Sequence, residues 1–242
     1  MLTAIFADIH GNRQAFEACL RDAAARGAGA TVLLGDYVGY GGDPDWATTR
    51  VMELVAAGAI AVRGNHDTAV LDTGLQMSAE ATAAMHWTRG ELSRSERDFL
   101  AALPLTARRG EVLYVHAGAS RPADWSYVGD AADAERSLKA TDARIVFCGH
   151  IHRPAVYSLS AAGKMTQFRP VDGVPVQLLG GRRWQIVLGS VGQPRDGRSS
   201  AAYALFDDAR GEVEFCRVPY DIDAAAGRIV ERHLPAWLAE RL

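Results

Sequence analysis

Short apolar runs, each ending in an acidic or imidazole side chain, recur along the first two thirds of the chain and constrain its fold more than any other feature. The first, Leu2 to Ala7, ends in Asp8-Ile9-His10-Gly11. A helical pattern follows from Asn12, with Phe16, Cys19, Leu20, Ala23 and Ala24 on one face and a stop signal at Arg26-Gly27. The second run, Ala30 to Leu34, ends in Gly35-Asp36. Asp43-Pro44 then reads as N-cap plus N1 proline of a helix ending near Gly58. The third run, Ala59 to Val62, ends in Arg63-Gly64-Asn65-His66-Asp67. Strand and helix alternating at about 28-residue intervals predict right-handed βαβ units and a parallel sheet.

Residues 68–103 read as a helical excursion from that sheet, with Ser93 and Glu96 forming a capping box. Val112 to Val115 is a further strand and ends in His116-Ala117-Gly118. A loop rich in Pro, Trp and Tyr (Arg121 to Val128) precedes a short helix from about Ala131 to Ala140. Ile145 to Cys148 is a strand ending in Gly149-His150-Ile151-His152. Strand-like runs near 155–159, 165–169, 175–179, 184–188, 202–206 and 212–218 then predict antiparallel hairpins. A last helix from about Asp223 breaks at Pro235. With no linker or repeat, the expectation is one α/β domain over 1–242, with 68–103 inserted and 221–242 as a C-terminal helical segment.

Composition removes several classes. The longest apolar run, Leu54 to Val62, is broken by Gly58 and falls short of the ~18 residues of a membrane span. The start of the chain lacks a signal peptide's basic region. A net charge of −3 argues against a broad grip on nucleic acid or membrane, and so against a nuclease for long DNA or RNA. Three scattered cysteines, Cys19, Cys148 and Cys216, fit a reducing cytoplasm rather than a disulfide framework. Cys148 reads as a small core residue.

Ligands of open α/β sheets bind beyond the carboxyl ends of the strands, so the polar strand ends converge in one crevice. Residues i and i+2 of an extended segment share a face, so Asp8 with His10, and His150 with His152, can each chelate one ion. Carboxylates, imidazoles and an Asn oxygen without thiolate suit Mn²⁺, Fe²⁺ or Zn²⁺. Asp8, His10, Asp36, Asn65, His116, His150 and His152 exceed what one ion takes, and two ions sharing a carboxylate use them all. Two such ions suit in-line attack on phosphorus by an activated water. Helix N-termini just after His10 and Asn65 would add N–H groups for an anion. Singly, each motif is ambiguous: His116 alone reads as a core histidine and Gly35-Asp36 as a turn.

Together, Asp8-Ile9-His10, Gly35-Asp36-Tyr37-Val38-Gly39-Tyr40-Gly41, Gly64-Asn65-His66-Asp67, Val115-His116-Ala117-Gly118 and Gly149-His150-Ile151-His152 resemble the five motifs of the calcineurin-like metallophosphoesterase superfamily. Gly189 to Gly197 is similar to a segment of its compact bacterial phosphodiesterase branch. The resemblance implies a four-layer α-β-β-α sandwich, two mixed sheets flanked by helices, with a binuclear centre above the strand ends. It implies that Asp8, His10, Asp36 and His152 hold one metal, and that Asp36 bridges to a second held by Asn65, His116 and His150. His66 would then serve the leaving group as general acid or stabilise the transition state, with Asp67 orienting its ring. Mn, Fe, Zn and Ni all suit this ligand set, Mn first among them.

The superfamily's protein phosphatases carry Asp-Arg-Gly where this chain has Gly39-Tyr40-Gly41, and Glu where it has Asp67. The phosphate-clamping arginine is missing there, so a phosphoprotein is disfavoured against a small phosphodiester, such as a nucleotide, or a phosphomonoester. Arg63 and Arg195 read as surface ion-pair partners. Asn12 and Tyr40 are candidates to border the substrate. Trp125 and Tyr127 can stack a base, but packing or contact between copies in a homo-oligomer is the preferred reading. His86 reads as an exposed helix residue. The competing class is a binding scaffold on the same fold, which usually lacks His66 or a ligand.

Overall fold

The computed structural model describes residues 1–75 and 79–242, so residues 76–78 of the expected helical excursion lie outside the described residues. The repeating units are β1 (Leu2–Phe6), α1 (Arg13–Ala25), β2 (Ala30–Leu33), α2 (Pro44–Ala56) and β3 (Ile60–Ala61). Helices α3 (Asn65–Leu71), α4 (Ala79–Glu91) and α5 (Arg94–Ala102) make the excursion. Then come β4 (Thr106–Arg109), β5 (Val112–Val115), α6 (Ala131–Lys139) and β6 (Ile145–Cys148). The remainder is β7 (Ala155–Ser160), β8 (Met165–Phe168), β9 (Val176–Gln177), β10 (Arg182–Val187), β11 (Ala201–Asp207), β12 (Glu212–Val218), α7 (Ile222–Glu231) and α8 (Ala236–Ala239).

The strands form two six-stranded mixed sheets, ordered β3-β2-β1-β11-β12-β9 and β4-β5-β6-β10-β7-β8. Strand alternation decides the layering. In β1, Ile5 faces a core shared with Ile145, Phe147, Trp184 and Ile186 of the second sheet. Its neighbours Ala4 and Phe6 face the other way, against Phe16 and Cys19 of α1 and Val51 of α2. Phe6 stacks on Tyr203 at 5.2 Å and meets Phe16 edge-on at 5.6 Å. On the outer face of the second sheet, Ala134 and Leu138 of α6 pack on Val146 and Cys148. The order is therefore helix, sheet, sheet, helix.

Several expectations needed correction. β1, β2 and β3 are parallel, as are β5 and β6, but β10, antiparallel to β7 on one side, lies parallel to β6 on the other rather than in a hairpin with a chain neighbour. β9 crosses to the edge of the first sheet, beside β12. β4 was not foreseen, because Thr-Ala-Arg-Arg is an edge strand with mostly exposed side chains and carries no apolar pattern. Ser93 and Glu96 do form the capping box, and Glu96 also accepts from Thr49 of α2 at 3.1 Å. Asp43 is the N-cap of α2 by backbone only. Its carboxylate turns instead to Arg228 Nε of α7 at 2.6 Å.

Candidate metal centre

Parallel strands in both sheets end at one rim, and the chain turns sharply there. Among the described residues, eight other than glycine have positive φ: Asp8, His10, Asp36, Tyr40, Trp125, His150, His152 and His233. All but His233 belong to this rim. β1 ends at Phe6 and β6 at Cys148, so Asp8, His10, His150 and His152 are not on extended backbone as the i, i+2 argument required. They converge because left-handed residues fold each loop back over the strand ends, a conformation that Asp and His tolerate better than most.

Seven polar side chains meet here, most of them fully buried. His152 Nε2 lies 3.1 Å from His10 Nε2 and 3.5 Å from Asp8 Oδ1. Asp36 Oδ2 lies 3.8 Å from His10 Nε2 and 3.4 Å from His116 Nε2. His116 Nε2 also faces Asn65 Oδ1 at 3.0 Å and His150 Nδ1 at 3.1 Å. The opposite ring nitrogens explain this orientation. His10 Nδ1 donates to Val38 O at 3.1 Å, His116 Nδ1 to Leu34 O at 2.7 Å and His152 Nδ1 to Gln193 O at 2.7 Å. A carbonyl only accepts, so each Nδ1 carries a proton and each Nε2, when deprotonated, presents a lone pair inward. Lone pairs converging at hydrogen-bond distance around buried carboxylates fit cations. A metal-bound histidine usually donates its other ring N–H to a carbonyl in this way. The groups Asp8/His10/His152, His10/Asp36/His66 and Asp36/His116/His150 each bring ligand atoms within 4.8 Å.

Electrostatics agree with that fit. Burial raises the Asp8 carboxyl to about 7, opposed by His116 and reinforced by Asp36. Burial also works against protonating His116, yet the charge and hydrogen bond of Asp36 overcome it and raise the imidazole to about 9. His10 and His152 are driven below the ordinary imidazole range, first by burial. Without cations the cluster thus holds protons where cations would sit.

His66 and Asp67 behave differently from the expectation. Asp67 does not orient the His66 ring. Its Oδ2 accepts from Asp36 N at 2.8 Å and Gly64 N at 2.9 Å, and its Oδ1 from Tyr37 N at 2.9 Å. Successive residues of a helix point in different directions, so Asp67 braces the Asp36 loop instead. His66 Nδ1 faces the Met85 sulfur at 3.2 Å, and its ring lies 4.8 Å from His10 and 4.6 Å from Tyr40. Thioether sulfur is a weak acceptor, so the proton of this imidazole is not pinned as in its neighbours. Burial lowers His66 to about 4.

The helix N-termini are partly occupied by the chain itself. Asn12 caps α1 by accepting from Ala15 N at 3.1 Å, and the N–H of His66 is taken by Asp36 Oδ1 at 2.8 Å. Asn12 also donates to Gly192 O at 2.9 Å and Tyr220 OH at 3.4 Å, so its polar atoms serve the fold. Gly64 touches the site most closely: a Cβ there would collide with the Asp36 side chain and backbone. Gly64→Ala is expected to cost about 1–3 kcal/mol in urea unfolding and to lower metal affinity by displacing Asp36. Unchanged stability and metal content would show that the loop has more slack than this contact implies.

An open cleft of about 1060 Å³ lies over the cluster, walled by Tyr40, Trp125, Tyr127, Arg195 and Arg241. Tyr127 stacks on His150 with ring centres 4.3 Å apart and is 54% exposed, while Trp125 stands edge-on to His116 at 5.9 Å. The two aromatics therefore line the cleft, against the packing role preferred from sequence. Neither Arg63 nor Arg195 has a salt bridge among the described residues. Arg63 donates to Ala101 O at 3.0 Å. Arg195 holds Gln193 Oε1 at 3.0 Å and lies 5.7 Å from the centre of the Tyr40 ring. The sequence signal for Arg195 was the Gly189–Gly197 segment, where Gly192 lets the backbone press against the Ile9 carbonyl. His86 is exposed on α4, as expected.

A paired-sheet α/β sandwich with clustered Asp and His above its strand ends defines a metallophosphoesterase type of protein. Residues 1–210 match the model of the calcineurin-like phosphoesterase superfamily domain. A metallophosphoesterase from Sphaerobacter thermophilus is similar in structure, with a TM-score of 0.87 and 33% identity over 100% of this chain and 98% of that one. An uncharacterised protein of Methanocaldococcus jannaschii is 33% identical over 100% of this chain and 97% of the relative. A hypothetical protein of Pyrococcus horikoshii OT3 shares the fold, with a TM-score of 0.77 at 19% identity over 99% of this chain and 96% of that one. The chain belongs to the calcineurin-like phosphoesterase superfamily. Among the described residues no helix is long and apolar enough to cross a membrane.

Proposed function

We propose that this chain is a two-metal phosphoesterase that hydrolyses a small phosphodiester, with Asp8, His10, Asp36 and His152 holding one ion and Asp36, Asn65, His116 and His150 the other. The observation that carries this reading is the set of imidazoles anchored by carbonyls with their Nε2 lone pairs turned toward buried carboxylates. When bound, two divalent ions, Mn²⁺ first among the candidates, supply positive charge at the phosphoryl oxygens and bring the pKa of water from about 15.7 toward about 7.

The chain's own groups do the rest. Leu34, Val38 and Gln193 carbonyls fix the rings, and Asp67 fixes the loop that carries Asp36. His66, neutral at working pH because burial lowers it, donates an N–H to the departing oxygen. Tyr40 and Arg195 bind the phosphate's outer oxygens on one side. The exposed face of Tyr127, with Trp125 beside it, offers a shelf for a flat ring such as a nucleobase. Absence of the clamping arginine at Gly39-Tyr40-Gly41 supports a diester over a phosphoprotein. The unpaired, buried cysteines suit a reducing cytoplasm.

The test is chelation followed by reloading with Mn²⁺. Two ions per chain are expected, together with faster hydrolysis of bis(4-nitrophenyl) phosphate than of 4-nitrophenyl phosphate. Asp8 at about 7 and His116 at about 9 must both give up protons, so loading at pH 7 is expected to release between one and two protons per chain. Affinity therefore rises with pH through neutrality and is lost as pH falls. Calorimetry in buffers of different ionisation enthalpy reads this directly. A protein that takes up no metal refutes the reading, and one that loads fully but hydrolyses neither ester is the scaffold.

A further inference from the structure

Arg195 walls not only the cleft above the metal ligands but also a second, neighbouring cleft of about 360 Å³. We propose that this second cleft is a subsite for a further phosphate group of the substrate, so that the ester hydrolysed is of the nucleoside polyphosphate class. The inference rests on the phosphoesterase reading above and names the substrate class it serves.

The cleft is strongly and unevenly charged. Its two carboxylates already pair with arginines, Asp172 with Arg198 and Arg217 and Asp196 with Arg217, although Asp196 Oδ1 is left without a hydrogen bond. Arg153, Arg169 and Arg195 also line it, and among the described residues none of these meets an acidic side chain. Three guanidinium groups without a salt bridge share one concavity in a chain whose net charge is −3, and of these Arg195 also feels the Asp8 carboxylate. Like charges gathered this way repel one another unless an anion lies between them, and guanidinium matches the geometry of phosphate oxygens better than ammonium does.

The cleft is also held in shape. Arg153 Nε donates to the Arg195 carbonyl at 2.8 Å, which ties the two arginine-bearing segments together. Pro154 and Pro170 follow Arg153 and Arg169 directly and line the same cleft, fixing the backbone beside each cation. Preorganised donors of this kind lose little freedom when a ligand arrives. Because Arg195 borders both clefts, a phosphate chain can run from the metal ligands past its guanidinium to Arg153 and Arg169. The flat ring of the leaving group would then lie on Tyr127 within the first cleft.

The experiment compares two esters with the same leaving group: the 4-nitrophenyl esters of a nucleoside 5′-monophosphate and of the matching 5′-triphosphate. Both Arg153 and Arg169 are exposed, so an Arg153→Gln/Arg169→Gln variant keeps the fold, checked by an unchanged melting curve. Its KM for the triphosphate ester is expected to rise about tenfold or more relative to its KM for the monophosphate ester. An unchanged ratio between the two esters overturns the subsite. If the wild-type protein hydrolyses neither, the phosphoesterase reading fails by itself only where bis(4-nitrophenyl) phosphate is also left intact. The cleft is then judged by titrating inorganic tripolyphosphate into chelator-treated protein. Binding to the wild type at least about tenfold tighter than to the variant supports the subsite, and equal or undetectable binding overturns it.

Discussion

Asp36→Asn is expected to leave a folded protein that neither retains metal through gel filtration nor turns over any ester. The carboxylate stands between the two halves of the ligand cluster, with Oδ2 at 3.8 Å from His10 Nε2 and 3.4 Å from His116 Nε2. Its other oxygen accepts from the His66 backbone N–H at 2.8 Å. An amide of the same shape keeps that second bond and points its N–H groups at the two imidazole lone pairs. The pocket becomes satisfied by hydrogen bonds, with one buried charge fewer to desolvate. Loss of a group that only hydrogen-bonds to a ligand costs about 10–100-fold in metal affinity, and loss of a shared ligand exceeds that range. Elemental analysis gives the metal content. A thermal melt gives the second reading, since Mn²⁺ raises the midpoint of the wild type by mass action and leaves the variant where it was. A variant carrying its full complement of metal would remove Asp36 from its shared position.

His66→Asn should separate chemistry from metal binding. The ring lies against His10 and Tyr40, yet its Nδ1 faces a sulfur where the His10, His116 and His152 rings face carbonyls. The variant is expected to hold as much metal as the wild type and to lose about 10²–10⁴ in kcat. The loss should depend on the leaving group. 4-Nitrophenolate departs with little help and should show the smaller loss, while an alkoxide needs the donated N–H and should show the larger. Wild-type rates in the metal-replete variant would take the departing oxygen away from His66. An equal loss for both leaving groups would assign it to the phosphoryl oxygens instead.

Much of this clustering was legible in the sequence because these side chains are punctuation marks at strand ends, and strand ends of parallel units share a rim. Asp8, His10, Asp36, Asn65, His116, His150 and His152 converge as that rule requires. The local geometry was not legible. Period-two alternation describes extended backbone, whereas Asp8, His10, His150 and His152 sit beyond their strands with φ between 51° and 69°. Asp67 was misread because adjacency in sequence suggested contact with His66, while its carboxylate is consumed by the amides of Asp36, Tyr37 and Gly64. Asn12 was misread for a similar reason: a helix cap and a substrate contact are the same residue type in the same place. Arg195 looked like surface charge because its neighbours in space, Tyr40 and the loop of His152, are remote in the chain. β4 and the parallel placement of β10 were invisible to pattern reading, since an exposed edge strand has no apolar signature and pairing partners are settled by the whole sheet.

The left-handed backbone at the rim carries a lesson for anyone engineering this scaffold. Each such residue costs on the order of 1–3 kcal/mol, against a net stability of about 5–15 kcal/mol for a typical domain. The sheets and outer helices, rich in Phe6, Tyr203, Phe147 and Trp184, must absorb that burden. Thermostabilising substitutions therefore belong in those remote layers. Relaxing the loops at Asp8, Asp36 or His150 toward commoner torsion angles would yield a hardier molecule with its working parts out of alignment.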